Sequence, residues 1–391
     1  MRSRKNSIVS AVEVHQWALQ RLLDARLLKD HGPLCTADVV WNVVLRAAAR
    51  MISLFAACRD LANAPSQQAI FDALEDGLPR TLPVLENRLN GALIDAIPRR
   101  LRCGAWRVAI DWHLVPYYGA PQHSRNEIYY GKPKQGTGRF HAYATACIVQ
   151  YGERYTLALT WVRRHETMVV VLRRLLARIR EIGLRIKYLL LDRAFFCYPV
   201  TAFLQAERLP FLMPVMFRGR RPKKRRARTG LHWIKRQKAG CYPHTLKRGK
   251  DAVRLSIYVA YRSYRHHRTK KRGSQKLLFA AWRVHGSPTE IRERYRKRFG
   301  IESSFRQLRQ ARIYTCTRNP HLRLVFVAVA LILRNLWVWI HATILAEGSG
   351  PGKTLRLERL RFKRLLDWIA QIVVTELHDA SIPCVTQEDL A

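Results

Sequence analysis

Lys187-Tyr188-Leu189-Leu190-Leu191-Asp192 is a short apolar run that closes on a carboxylate. Four consecutive aromatic or aliphatic residues leave no polar face, so the segment reads as a strand buried on both sides, as in a parallel sheet. Upstream, Val108-Ala109-Ile110-Asp111-Trp112-His113 has the same character, with its acid inside the strand. Ala142 to Gln150, a Tyr151-Gly152 turn and Arg154 to Val162 add two strands, giving three in succession that read as antiparallel. An amphipathic helix follows, with Val169, Leu172, Leu175, Leu176, Ile179 and Ile182 on one face and Gly183 as its stop. Beyond Asp192 the pattern predicts a short helix over Val200 to Glu207 and a further strand over Phe211 to Val215.

Three strands, a crossover helix and a buried strand parallel to the first is the α/β order of an RNase H-like fold. The flanks differ. Residues 1 to about 98 carry helical spacing and no strand signal: Leu19, Leu22, Leu23 and Leu27 lie on one face, and Thr36 and Ser66 stand where helix caps are expected. Near the other end, helices are predicted from Thr289 to Arg309, from Leu322 to Leu345 and from Leu357 to Leu377. Leu324 to Leu333 is an unbroken apolar run, but Arg334, Asn335 and His341 interrupt it short of the roughly 20 residues a membrane span needs, so it reads as a buried core helix.

Charge bounds the partner. The 391 residues hold 70 Lys and Arg against 28 Asp and Glu, a net +42, while 48% hydrophobic and 10% aromatic content excludes wholesale disorder. A polyanion is the expected partner, and composition favours a large, folded protein that handles nucleic acid. From Pro210 to Pro288 there are 23 Lys and Arg and a single acid, Asp251. Predicted strands and the aromatics Trp233, Tyr258, Tyr261 and Trp282 interleave with this charge, a mixture suited to phosphate contact and base stacking. The densest run includes Lys223, Lys224, Arg225 and Arg226, expected to track DNA phosphates. The eight cysteines are scattered without Cys-x-x-Cys or zinc spacing, which argues against a disulfide framework or zinc finger. The basic start Met1 to Asn6 leads into no secretory apolar region, so a cytoplasmic, nucleoid-associated protein is expected, with no membrane partner.

The acids carry the chemistry. A buried unpaired carboxylate is costly, so Asp111 and Asp192 call for compensating charge. In the fold read here their strands are neighbours, and Glu302 on a later helix can supply a third oxygen donor. Hard oxygen ligands with no His or Cys nearby suit Mg2+ or Mn2+. Singly, each acid has a plainer reading as a strand-end or helix-surface residue; their order, spacing and setting together favour a site.

Tyr295-x-x-Arg298-x-x-x-Glu302, followed by a basic residue at Arg309, resembles the Tyr-Arg-Glu-Lys signature of a large group of bacterial insertion-sequence DDE transposases. The likeness covers roughly residues 100 to 345. It implies that Asp111, Asp192 and Glu302 form the catalytic, metal-binding triad with two ions, and that a β-rich insertion separates the second and third acids. It also implies that Tyr295, Arg298 and Arg309 grip phosphates at the transposon end. Arg309 departs from the family's Lys, keeping the charge but offering a planar fork. Trp282 is the candidate for an aromatic that stacks on a flipped base, with a packed strand residue as its plainer reading. Arg193, directly after the second acid, reads equally as a contact to the scissile phosphate or as a partner for a carboxylate.

The resulting organisation has four parts. Residues 1–100 are a helical domain expected to bind DNA ends, and 101–209 with 289–346 an RNase H-like catalytic domain. Residues 210–288 form the basic β-rich insertion, and 347–391 a C-terminal helical segment. The function expected is transposition, on transposon-end and target DNA, by a homodimer on DNA. The rivals are a nuclease or resolvase of the same fold that cuts without joining, and a catalytically decayed, transposase-derived DNA-binding protein.

Overall fold

The computed structural model describes residues 9–95, 97–150, 153–217, 230–265, 272–298, 300, 306–348 and 354–377. The expected strands, with two that the sequence did not announce, β2 and β7, assemble into one mixed sheet: β1 (Ala105–Pro116), β2 (Tyr129–Lys134), β3 (Thr137–Ile148), β4 (Thr156–Val162), β5 (Arg185–Leu191), β6 (Phe211–Pro214), β7 (Gly240–Arg248), β8 (Asp251–Arg265) and β9 (Arg272–Trp282). β3 pairs antiparallel with β1 along one edge and with β2 and β4 along the other. β5 lies parallel to β1, and β6 parallel to β5. β6 then pairs antiparallel with β9, β9 with β8 and β8 with β7, so the strands of the basic segment extend the central sheet.

Strand alternation assigns the two faces. Val108, Ile110, Leu189 and Leu191 point into the larger core. It is shared with α5 (Leu82–Asp95), α6 (Met168–Glu181) and α10 (Pro320–Trp339), all of which pack on β4 or its neighbours. Ala109, Tyr188 and Leu190 point to the opposite face, which Ile291 and Tyr295 of α9 (Pro288–Arg296) cover. Residues 111 and 192 continue the second series, so both acids belong to the face that α9 overlies.

The helical flanks pack on one another. Among the described residues α1 (Ala11–Asp24), α2 (Ala37–Arg50), α3 (Leu54–Arg59) and α4 (Gln67–Gly77) precede α5, and α7 (Tyr198–Ala206) and α8 (Gly230–Ile234) lie between β5 and β7. α11 (Phe362–Leu377) packs against α1 and α2, and Arg46 of α2 donates to the Ala370 carbonyl at 2.9 Å. Ser66 caps α4 through the Ala69 amide, as its position predicted, whereas the Thr36 hydroxyl donates to Asp38 instead of capping α2.

α10, with the π-helical turn Ile340–Ile344 that follows it, is long and apolar enough to cross a membrane, yet it is buried within the protein. The polar residues that interrupt its apolar run are satisfied where they stand. Asn335 accepts from the Thr156 amide at 2.9 Å and donates to the Thr156 and Leu93 carbonyls, fastening β4 and α5 to the helix. His341 contacts the Leu360 carbonyl at 2.8 Å, and Arg334 donates to the Arg154 carbonyl and to Gln307.

Candidate active site

The parallel register aligns Ile110 with Leu191, and this sets the geometry of the site. The next residue on each strand is an acid, so Asp111 and Asp192 stand level on adjacent strands and on the same face. Both line one open pocket of about 420 Å³ with Trp112, Tyr129, Lys134 and Arg298. Asp111 accepts from the Trp112 amide at 2.9 Å through Oδ1. Asp192 caps the 3-10 turn Arg193–Phe195, its Oδ2 facing the Ala194 amide at the long distance of 3.5 Å.

Arg298 joins the two. Its Nη2 lies 2.8 Å from Asp111 Oδ2 and 3.7 Å from Asp192 Oδ1, and its side chain is only 8% exposed. Two carboxylates side by side repel, and a guanidinium between them supplies the compensating charge that their burial calls for. Its charge is thus spent on the aspartates in this conformation, rather than on an exposed phosphate-gripping face.

Tyr295 is also turned inward. Its hydroxyl donates to the Leu191 carbonyl at 3.2 Å and its ring packs on Phe279, tying α9 to the strand end that carries Asp192. Removing that hydroxyl in Tyr295→Phe is expected to lower stability by about 1 kcal/mol. Cleavage should fall further than such a loss accounts for, because α9 then loses its hydrogen bond to the strand end that carries Asp192. Thermal denaturation and cleavage rates of the one variant check both.

The continuous helix expected from Thr289 to Arg309 is interrupted among the described residues. α9 ends at Arg296, and the chain tightens there through bonds from the Arg298 amide to the Tyr295 carbonyl and from the Gly300 amide to the Lys297 carbonyl, at 2.9 and 3.1 Å. Such i→i+3 contacts are a usual way for a helix to end. Arg309 is exposed on a separate 3-10 turn, Arg309–Ala311. It acts on the same end of β1 through charge: burial, then Arg309, Arg312 and Lys134, push the His113 imidazole down to about 4, so this half-buried ring is neutral at neutral pH. Arg193 is exposed on the turn after Asp192. Trp282 ends β9 opposite Phe211, stacks on that ring at 6.4 Å and lies under the Arg283 guanidinium, a strand residue engaged in packing.

Glu302 and the run Lys223, Lys224, Arg225 and Arg226 lie outside the described residues. Among the described residues no three His, Cys, Asp or Glu side chains come close enough to hold a metal ion. The pair that is described fits a hard divalent cation: two adjacent carboxylates, in a pocket whose described lining has no thiolate or imidazole. Sequence reasoning missed Lys134 and Tyr129, which reach the pocket from β2. That strand is mostly exposed, and its Tyr-Tyr-Gly-Lys-Pro-Lys sequence carries no apolar alternation.

Asp111 inside β1 and Asp192 just past the end of β5 thus stand level beside the Arg298 guanidinium, and comparison with known proteins supplies the class. Residues 102–339 match the family model described as the transposase DDE domain, and the chain belongs to that family. No curated protein matches it. Among solved structures it is similar to piggyBac transposase, determined by cryo-electron microscopy as a synaptic complex with hairpin DNA. The TM-score is 0.53 at 12% identity, over 99% of this chain and 89% of that one, a likeness of fold.

Proposed function

We propose that this protein cleaves DNA at the ends of a mobile element and joins the freed 3′-hydroxyls to target DNA in a metal-dependent reaction. The observation that carries the reading is the level pair Asp111 and Asp192, bridged by Arg298 in one pocket, in a chain of the transposase DDE family. The strand order β4-β3-β1-β5-β6, antiparallel then parallel, supports an RNase H-like core with the basic segment inserted after β6. Glu302 is the proposed third acid, and the spacing of Tyr295 and Arg298 to it supports a bacterial insertion-sequence enzyme of the Tyr-Arg-Glu-Lys type.

Asp111, Asp192 and Glu302 would hold Mg2+ or Mn2+, two ions per site, which supply the charge that activates an attacking oxygen and stabilises a leaving one. The chain's own residues do the rest. Arg298 keeps the carboxylates together, Tyr295 fixes the end of β5, and Lys134 adds positive charge at the mouth where a phosphate would arrive. DNA is the proposed partner, supported by the charge of the basic segment and by the DNA complex of the piggyBac neighbour. The helical residues 1–100 are the proposed end-binding part, a homodimer on DNA the working assembly, and the cytoplasmic nucleoid its place.

Incubating the full chain with Mg2+ or Mn2+, a labelled duplex carrying an element end, and a target plasmid tests this. Cleaved ends joined to plasmid are expected. Cleaved ends alone indicate a nuclease or resolvase, and binding without cleavage a decayed transposase. A second measurement addresses the basic run. Replacing Lys223, Lys224, Arg225 and Arg226 with Gln together is expected to weaken binding to all duplexes and to flatten the log–log salt dependence by about 0.9 for each phosphate no longer neutralised. An unchanged slope in anisotropy titrations removes that run from the DNA interface.

A further inference from the structure

Toward the starts of β1 and β5, on the same face as the aspartates, lies a second cleft of about 410 Å³, lined by Arg107, Lys187, Arg283, His285, Arg294 and Lys297 among others. We propose that this cleft binds the phosphodiester backbone of the DNA whose scissile phosphate lies at Asp111 and Asp192; this rests on the transposase reading.

Five cations meet in a concavity with no acid in its described lining. None of the five forms an ion pair with a described carboxylate. Arg107 donates to the Gln150 side chain at 2.8 Å, Arg294 to the His285 carbonyl, and Arg283 lies over the Trp282 ring. Glu290, the acid whose carboxyl feels Arg294, is engaged in capping its own helix through Ser287. Desolvation first, then the neighbouring Arg107 and Arg294, hold the Lys297 ammonium below its ordinary value. Among the described residues these like charges gather with no carboxylate in ion-pair contact, which is the electrostatic mark of an anion site.

The position selects the anion. Arg107 and Asp111 lie four residues apart on one face of one strand, about 13 Å at the usual rise. A duplex advances about 3.4 Å along its axis with each base pair, so one of ten or more base pairs is long enough to reach both places. α9 and the turn that follows it join them, presenting Arg294 and Lys297 to the cleft and Arg298 to the aspartates. A free phosphate would occupy one or two of the five cations; a backbone running along α9 engages them in series.

Lys187 and Lys297 are exposed, so an amine-reactive acylating reagent can report on them directly. The full-length chain bearing Asp111→Asn, to prevent turnover, is acylated with and without a duplex extending ten or more base pairs on each side of the element end. Modification of each lysine is read by mass spectrometry. At least five-fold protection of Lys297 and Lys187 by the duplex is expected. In parallel, Lys187→Gln/Arg283→Gln/Lys297→Gln should flatten the salt dependence of duplex binding by about two contacts. Equal acylation with and without duplex overturns the proposal. Cleavage by the unmutated chain is scored separately. A chain that protects Lys297 yet never cuts keeps the cleft and removes the transposase reading, whereas one that cuts while Lys297 stays open removes the cleft.

Discussion

Asp111→Asn is expected to abolish DNA cleavage while leaving DNA affinity unchanged or higher. The substitution keeps the shape of the side chain and its acceptor oxygen toward the Trp112 amide, so strand β1 should be undisturbed. It removes one negative charge and one hard ligand from a site that offers two such groups side by side. A loss of at least about 10³ in rate corresponds to roughly 4 kcal/mol of barrier, the scale on which a ligand to the reacting centre acts. Affinity should not fall, since the carboxylate removed faces phosphates that it repels. The check is a cleavage time course beside an anisotropy titration and a circular dichroism spectrum. Cleavage by a well-folded Asn protein at the unmutated rate would remove Asp111 from the chemistry, and Asp192→Asn should reproduce the loss.

Arg298→Ala should be the most destabilising change at the site as well as an inactivating one. The Arg298 side chain is 8% exposed, and its closer partner, Asp111, 18%. Removing one member of such a pair leaves the other charge with its desolvation uncompensated, which costs about 3–5 kcal/mol in fully buried pairs. Asp192 is 44% exposed and its contact is long, so it contributes little. A loss of about 2–4 kcal/mol in metal-free buffer is therefore expected. Two companion results separate the charge from the packing. Mg2+ should raise the melting temperature of Arg298→Ala more than that of the parent protein, because a cation there offsets the same repulsion. Asp111→Asn/Arg298→Met should be more stable than Arg298→Ala alone, since both members of the pair are then neutral. An Arg298→Ala protein as stable as its parent, with no extra response to Mg2+, would reduce Arg298 to a surface cation.

The parts of this molecule that could be read in advance are those governed by strict periodicity. Leu189-Leu190-Leu191 and Val108-Ala109-Ile110 read as buried strands, and the acids that follow them share a face because the parallel register sets Ile110 beside Leu191. β2 and β7 escaped notice because they are edge strands. Tyr129–Lys134 is almost wholly exposed, and β7 carries Pro243 and alternates with little apolar content, features that natural edges use to discourage pairing. The inward turn of Arg298 onto the aspartates escaped for another reason. In a helix as basic as Arg292-Glu-Arg-Tyr-Arg-Lys-Arg298 nothing local distinguishes the guanidinium that turns inward from those that meet solvent. Sequence spacing also could not reveal that α9 stops at Arg296, so the helix expected from Thr289 to Arg309 is too long. Arg334, Asn335 and His341 looked like interruptions of an apolar helix; buried and bonded to neighbouring backbone or side chains, they fasten it in place.

The continuity of the sheet from β4 to β7 bears on how such a protein can change over time. A segment attached by two covalent hinges can be exchanged between relatives like a cassette. β9, however, closes the open edge of β6, which in turn flanks β5 and its terminal Asp192. Excising β7, β8 and β9 would lay bare the backbone of β6 beside the acid, an invitation to aggregate. Variation in length and charge is therefore expected at the connections between these strands, while the ladder that flanks Asp192 should be kept as a block.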